Sequence, residues 1–189
     1  MRSLFRLSVC LAASFLLASA AISRTIDTAK SSMTVRVYKA GVFSAFGHNH
    51  EVASPIVAGS FDEEKPAVEL RVDARQLRVL DKDVSAKDRA EIQETMLGPK
   101  VLDSEKFPEI LFRSSHVERL GDGKWVVEGS LTLHGQTRLI RVQVEGQGGH
   151  YRGWAQLKQK DFGMTPVVVA GGTVKVKDEV RVEFDVRGK

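Results

Sequence analysis

The sequence predicts an all-β domain, an antiparallel barrel or sandwich of about eight strands with one inserted α-helix at about residues 85–97. Three observations predict it. Apolar residues alternate with polar ones over several segments, short glycine-containing turns separate those segments, and one stretch alone has helical spacing. Consecutive strands joined by short turns are antiparallel neighbours. Closure into a barrel removes exposed sheet edges, so a single barrel is the expected architecture.

Residues 1–20 have the pattern of a secretion signal. Two arginines precede an uncharged run over 7–17, and residues 18–20 place small side chains where a signal peptidase cuts. The run is shorter than the roughly 20 apolar residues that a membrane helix needs. We therefore expect this segment to be cleaved and residues 21–189 to form one domain. The mature protein would then be periplasmic or secreted and would have no transmembrane span.

The composition bears on the disulfides, the net charge and the binding partners of the mature domain. Cys10 is the only cysteine and lies in the signal segment, so the domain must fold without disulfides although export leads to a compartment that permits them. Loss of Arg2 and Arg6 lowers the net charge from +4 to +2. The charges are spread along the strands, which excludes the basic patch of a nucleic-acid-binding protein. The sequence leaves the oligomeric state open.

Alternation at period two marks the strands, because a strand turns successive side chains to opposite faces. The pattern is clearest over 180–187, where valine and phenylalanine alternate with charged residues, and it recurs over 33–38 and 68–73. Further strands are predicted near 46–53, 56–62, 109–117, 124–134, 138–145 and 150–160. Each strand is expected to have one buried face and one solvated face.

The segment from Ser85 to Leu97 departs from this pattern. Ser85 with Asp88 three residues later resembles a capping box, and the apolar positions that follow have near-helical spacing. Gly98-Pro99 then ends the segment. It predicts one helix of about three turns between strands.

His48-Asn49-His50 is the sharpest candidate for polar chemistry. In an extended segment residues i and i+2 face the same side, so two imidazoles could supply half of a metal shell. Alternatively, they satisfy loop backbone groups at the rim of the barrel, and His134 caps or lines an end in the same way. No catalytic or metal-binding motif accompanies them. We expect no catalytic residue and no metal, with His48 and His50 as the ligands if one binds.

Several segments, taken in order, resemble the YceI-like family of exported, lipocalin-like β-barrels described as polyisoprenoid-binding. They are TID at 25–27 with SSMTV at 31–35, GSF at 59–61, VSAKDR at 84–89, LDSEKFPEI at 102–110 with FRSS at 112–115, EGSLTLHGQTR at 128–138 and KDFGM at 160–164. The resemblance covers essentially the whole mature chain. It implies an apolar tunnel that accepts an isoprenoid tail or a similar amphiphile, with no established catalytic residues and no cofactor.

We therefore expect a non-enzymatic binder or carrier of an isoprenoid or related amphiphilic lipid, and no nucleic-acid partner. The apolar residues predicted to face the ligand are Val35, Val37, Phe43, Phe46, Phe112, Leu131, Leu133, Trp154 and Phe162. The predicted polar rim consists of His48, His50 and His134. Two alternatives stay open: a metal- or histidine-dependent enzyme that uses His48 and His50, and an envelope stress or interaction protein whose barrel is solid.

Overall fold

The computed structural model describes residues 23–40, 49–169 and 174–189. Within them the chain forms twelve strands, one α-helix and two short 3-10 helices. The strands are β1 (Ser23–Thr25), β2 (Ser32–Ala40), β3 (His50–Ala53), β4 (Ile56–Asp62), β5 (Ala67–Asp73), β6 (Arg78–Val79), β7 (Glu109–Gly121), β8 (Lys124–Leu133), β9 (Gln136–Gln147), β10 (His150–Lys158), β11 (Val168–Val169) and β12 (Val174–Arg187). The α-helix is α1 (Ala86–Leu97), and the 3-10 helices are Ala74–Gln76 and Gln159–Phe162.

All the strands belong to one antiparallel sheet. Its order is β1-β4-β5-β7-β8-β9-β10-β12-β2-β3-β6, and β11 pairs with β12 outside this path. The sheet curls so that its first strand returns to its longest one: Ile26 bridges Gly188, and the Asp27 amide donates to the Arg187 carbonyl at 2.7 Å. The result is a curled half-barrel with an inner and an outer face.

This architecture confirms the predicted fold class, an antiparallel β-barrel type with one inserted helix. The structure has more strands than the eight or so expected, because β1, β6 and β11 are two or three residues long and too short to show alternation. The predicted strand near 46–53 is described from Asn49 onward, and its first residues lie outside the described part. The expected signal segment, residues 1–20, also lies outside it.

The tight turn between β8 and β9 shows how local chemistry sets the register. His134 and Gly135 connect the strands with φ of 50° and 69°, the left-handed conformation that a type I′ hairpin turn requires at both positions. Glycine is needed at the second position, because a Cβ there would lie 2.6 Å from the ring of Phe107. The turn therefore fixes His134 beside Phe107.

Helix α1 begins as the sequence predicts. The Ser85 hydroxyl accepts a hydrogen bond from the Asp88 amide at 3.1 Å, which satisfies one of the free donors of the first turn. No residue of α1 is fully buried, but Ile92, Met96 and Leu97 pack against the core. The helix thus covers one side of the half-barrel. No helix among the described residues is long and apolar enough to cross a membrane.

Candidate functional site

Inward-facing side chains of the sheet do not fill the space that they enclose. Val180, Val182 and Phe184 of β12 and Met33 and Val35 of β2 all point inward, yet each is half-buried rather than buried. Close-packed interiors leave few voids larger than a water molecule. The partial exposure of these side chains therefore indicates an internal cavity.

The cavity has a volume of about 300 Å³ and follows the inner face of the sheet. This volume lies at the lower end of the range for small-molecule sites, which are mostly apolar. Among the described lining residues the polar side chains are Ser54, Asp62, Glu63, Tyr151 and Gln159, and the others are aliphatic, aromatic, methionine or proline. Such a lining suits an apolar ligand far better than a polar one.

Two glycines on the inner face give room to aromatic rings. A Cβ at Gly129 would lie 2.6 Å from the Phe112 ring, and a Cβ at Gly153 would lie 2.5 Å from the Phe184 ring. The rings of Phe112 and Phe184 therefore lie directly over the strand backbone at Gly129 and Gly153. Larger residues at the two glycines would push these rings toward the space that the cavity occupies.

The cavity meets solvent at the turn between β4 and β5. Glu63, Pro66 and Ala67 are the exposed residues among the described lining positions, and all three lie in this turn or at its end. Lining residues elsewhere along the described cavity are buried or half-buried. We call this opening the mouth and define it by Asp62, Glu63, Pro66, Ala67 and Tyr151.

A hydrogen-bond network centred on Glu63 holds the mouth in shape. One carboxylate oxygen of Glu63 accepts from the Tyr151 hydroxyl at 2.6 Å and from the Gly149 amide at 2.9 Å. The other oxygen pairs with the Arg24 guanidinium at 3.5 Å. Burial, and then the hydrogen bond to Glu63, raises the pKa of Tyr151 to about 12. The phenol therefore stays protonated and donates to Glu63 at physiological pH.

A family model for the YceI-like domain matches residues 25–188, nearly all of the described chain. The chain belongs to the YceI-like family. A UPF0312 protein of Shewanella oneidensis is 31% identical over 161 residues, which cover 78% of this chain and 80% of that protein. A UPF0312 protein of Vibrio parahaemolyticus is 27% identical over 194 residues, covering 96% and 97%. UPF0312 proteins of Vibrio cholerae are 32% identical over 106 residues, and the chain spans 54% of their length.

Solved structures show the same fold. The crystal structure of BcnA from Burkholderia cenocepacia matches with a TM-score of 0.60 at 21% identity, over 85% of this chain and 98% of that chain. The YCEI protein of Campylobacter jejuni matches with a TM-score of 0.53 at 13% identity, over 73% and 81%. At these identities the likeness concerns the fold of the YceI-like domain.

Five of the predicted ligand-facing residues line the cavity of this YceI-like domain: Val35, Val37, Phe112, Leu131 and Leu133. They sit at alternate positions of β2, β7 and β8, as period-two alternation requires. Contact with a ligand stays a prediction for them. Phe43 and Phe46 lie outside the described residues.

Trp154 and Phe162 do not line the cavity, which corrects their predicted placement. Trp154 lies on the outer face, where the Arg181 guanidinium stacks 4.1 Å from the ring centroid, because the inward positions of β10 are those of its neighbour Ala155 and of Leu157. Phe162 is 1% exposed and packs in the core from the 3-10 helix after β10. Period-two alternation does not apply to a helical turn.

Several lining residues were missed by sequence reasoning. Trp125 lies at the mouth end of β8, and Met96, Val101 and Leu102 come from the end of α1 and the loop after it. Alternation backward from Leu131 would have found Trp125, since the two positions share a face. The loop residues carry no such signal, because the chain there follows no regular period.

The predicted polar rim is divided between two places in the YceI-like domain. The His50 ring contacts Asp81 at 2.6 Å, and the other oxygen of this buried carboxylate accepts from the Glu51 amide at 2.8 Å. His134 donates from its ring to the Phe162 carbonyl at 3.0 Å, and its ring lies edge-on to Phe107. His48 lies outside the described residues. Among the described residues, no three histidine, aspartate, glutamate or cysteine side chains form a group that could hold a metal ion.

Proposed function

We propose that this YceI-like protein binds an amphiphilic lipid, holding its apolar tail in the cavity and its head at the mouth. The observation that carries the proposal is a hollow, almost wholly apolar interior whose exposed lining residues, among those described, lie at the turn between β4 and β5. The YceI-like family is linked to polyisoprenoid binding, which favours an isoprenoid tail. The export pattern of residues 1–20 favours a periplasmic location.

Burial of apolar surface would supply the affinity. Each buried methylene contributes roughly 0.8 kcal/mol, so two buried isoprene units would contribute about 8 kcal/mol before the entropic cost of binding. Directional polar contacts are then needed for the head alone. A solid-barrel interaction protein, the alternative expectation, would have a filled interior, and the cavity of about 300 Å³ counts against it.

The proposal is tested by identifying what co-purifies with the protein. Protein expressed with residues 1–20, recovered from the periplasm without a histidine tag, is extracted with organic solvent, and the extract is analysed by mass spectrometry. We expect a stoichiometric lipid with an unsaturated, branched tail. Protein that is repeatedly free of lipid and that takes up no prenyl lipid on titration would refute the proposal.

A pair of neighbouring substitutions on β10 provides the control. Ala155 lines the cavity and is 6% exposed, whereas Gln156 points to the outer face and is exposed. Ala155→Phe should fill part of the cavity and reduce bound lipid, and Gln156→Phe should leave it unchanged. Circular dichroism of both variants would show that each is folded.

A further inference from the structure

The ionic character of the mouth restricts the head group that the cavity accepts, an inference that rests on the proposed function. Among the described lining residues, the ionisable ones are Asp62, Glu63 and Tyr151, and all three lie at the mouth. Two are carboxylates and the third is a phenol. The nearby cations Arg24 and Lys65 do not line the cavity.

The neutral hydrogen-bond donors described around the mouth are already occupied. The Tyr151 hydroxyl and the Gly149 amide both donate to Glu63 at 2.6 and 2.9 Å. The amides of Glu64 and Lys65 both donate to one oxygen of Asp62 at 2.8 Å. A phosphate or carboxylate head would therefore have to compete with Asp62 and Glu63 for these donors.

The carboxylates of Asp62 and Glu63, in contrast, can each accept further hydrogen bonds. A carboxylate has roughly four lone-pair sites. Asp62 receives two of the hydrogen bonds described above, and Glu63 receives two together with the ion pair to Arg24 at 3.5 Å. Asp62, Glu63 and Glu64 carry three negative charges against the two positive charges of Arg24 and Lys65, so the mouth and its turn keep net negative charge. The mouth can accept hydrogen bonds from a ligand and it repels an anion.

We propose that the cavity selects amphiphiles whose head group carries no negative charge and donates a hydrogen bond, that is, an alcohol or an amine. Amphiphiles with phosphate or carboxylate heads and the same tail bind more weakly. An exposed pair of like charges a few ångströms apart costs about 1 kcal/mol in water, which corresponds to about a fivefold difference in affinity.

Tryptophan fluorescence can follow ligand binding in this protein without an added label. Of its two tryptophans, Trp125 lines the cavity and Trp154 lies on the outer face. In the Trp154→Phe protein, the fluorescence of Trp125 alone follows ligand entry. This protein, stripped of bound lipid, is titrated with farnesol, farnesylamine and farnesyl phosphate, each below its critical micelle concentration, at low ionic strength.

We expect farnesol and farnesylamine to bind at least about fivefold more tightly than farnesyl phosphate, and the gap to narrow as salt is added. Glu63→Gln keeps an acceptor oxygen for Tyr151 and Gly149 while removing the charge, and it should reduce the gap. Asp62→Asn, which also keeps its acceptor, is a second variant with the same expectation. Glu64→Gln, an exposed neighbour that does not line the cavity, is the matched control.

Equal or tighter binding of the phosphate would overturn the head-group inference while leaving the proposed function intact. A gap that neither Glu63→Gln nor Asp62→Asn reduces would overturn the assignment of selectivity to the mouth. Failure of all three ligands to bind would instead refute lipid binding itself, and the head-group inference with it.

Discussion

The two sides of the half-barrel are held together in different ways. On one side, β7 to β10 and β12 form a wall of long strands, nine to fourteen residues each, joined by long backbone ladders. On the other side, β3 and β6 are four and two residues long, and α1 covers the adjacent edge. We call these the wall and the closing side.

On the closing side, individual polar side chains make the hydrogen bonds to backbone groups that neighbouring strands make in the wall. The Gln93 amide of α1 accepts from the Val79 amide and donates to the Leu77 carbonyl, both at 2.8 Å. A neighbouring strand would supply one acceptor and one donor in the same manner. Asp81 similarly joins the His50 ring to the Glu51 amide. Substitutions that add volume in the wall should therefore lower the free energy of unfolding most. On the closing side, substitutions that remove hydrogen bonds should lower it.

The largest effect is expected for Gly153→Ala in the wall. A Cβ at Gly153 would contact the Gln143 carbonyl, which is fixed in the ladder, and would lie 2.5 Å from the Phe184 ring. Overpacking of this kind costs about 3 kcal/mol. Urea unfolding should show this loss in the free energy of unfolding, and Gln156→Ala, on the outer face of the same strand, should change it by less than about 0.5 kcal/mol. Equal stability of the two variants would contradict the close approach at Gly153.

The next effect tests the closing side. Gln93→Met preserves the length of the side chain but leaves the amide of the buried Val79 unpaired. The Leu77 carbonyl loses its bond from Gln93 but still accepts from the Arg78 guanidinium at 2.9 Å. An unsatisfied buried backbone group costs about 1–3 kcal/mol, so we expect a loss of about 2 kcal/mol. Hydrogen exchange at the Val79 amide should accelerate in parallel. Glu94→Met, one residue along the exposed face of α1, should alter neither quantity.

A smaller effect is expected at the His50–Asp81 pair. His50→Leu removes the 2.6 Å partner of a carboxylate that is 4% exposed, while the Glu51 amide still donates to it. A partly compensated buried carboxylate should lower stability by about 1–2 kcal/mol. His116→Leu, at an exposed position of β7, is the control for the loss of an imidazole. A loss in the control as large as that in His50→Leu would show that the pair contributes nothing specific.

Sequence reasoning succeeded where a regular period applies. Alternation placed Val35, Val37 and Leu131 on the inner face, and the capping serine located α1. Sequence reasoning failed for Trp154. Strand β10 places Gly153 and Ala155 inward, and residues this small do not show from the sequence which face of the strand is buried. The head-binding role proposed for Glu63 had no sequence signal, since it depends on which turns meet at one end of the curled sheet. Which turns lie side by side is determined by the pairing of strands that are distant in the sequence. A local sequence pattern contains no information about that pairing.

The smallest effect concerns the mouth, where the wall strand β10 meets the turn after β4. Because burial and the hydrogen bond to Glu63 raise the pKa of Tyr151 to about 12 from 10.0, the protonated phenol is favoured in the folded state. Its contribution to stability is complete below pH 10 and is lost as the pH rises from 10 through 12. Since the side chain is partly exposed, we expect the loss to be at most about 1 kcal/mol.

Urea unfolding at pH 9 and pH 11.5 tests this contribution. Between the two pH values, the free energy of unfolding should decrease less for Tyr151→Phe than for the unaltered protein. Glu63→Gln, which replaces the carboxylate acceptor by a neutral one, should give an intermediate decrease. Identical decreases in all three proteins would mean that the hydrogen bond between Tyr151 and Glu63 does not stabilise the mouth.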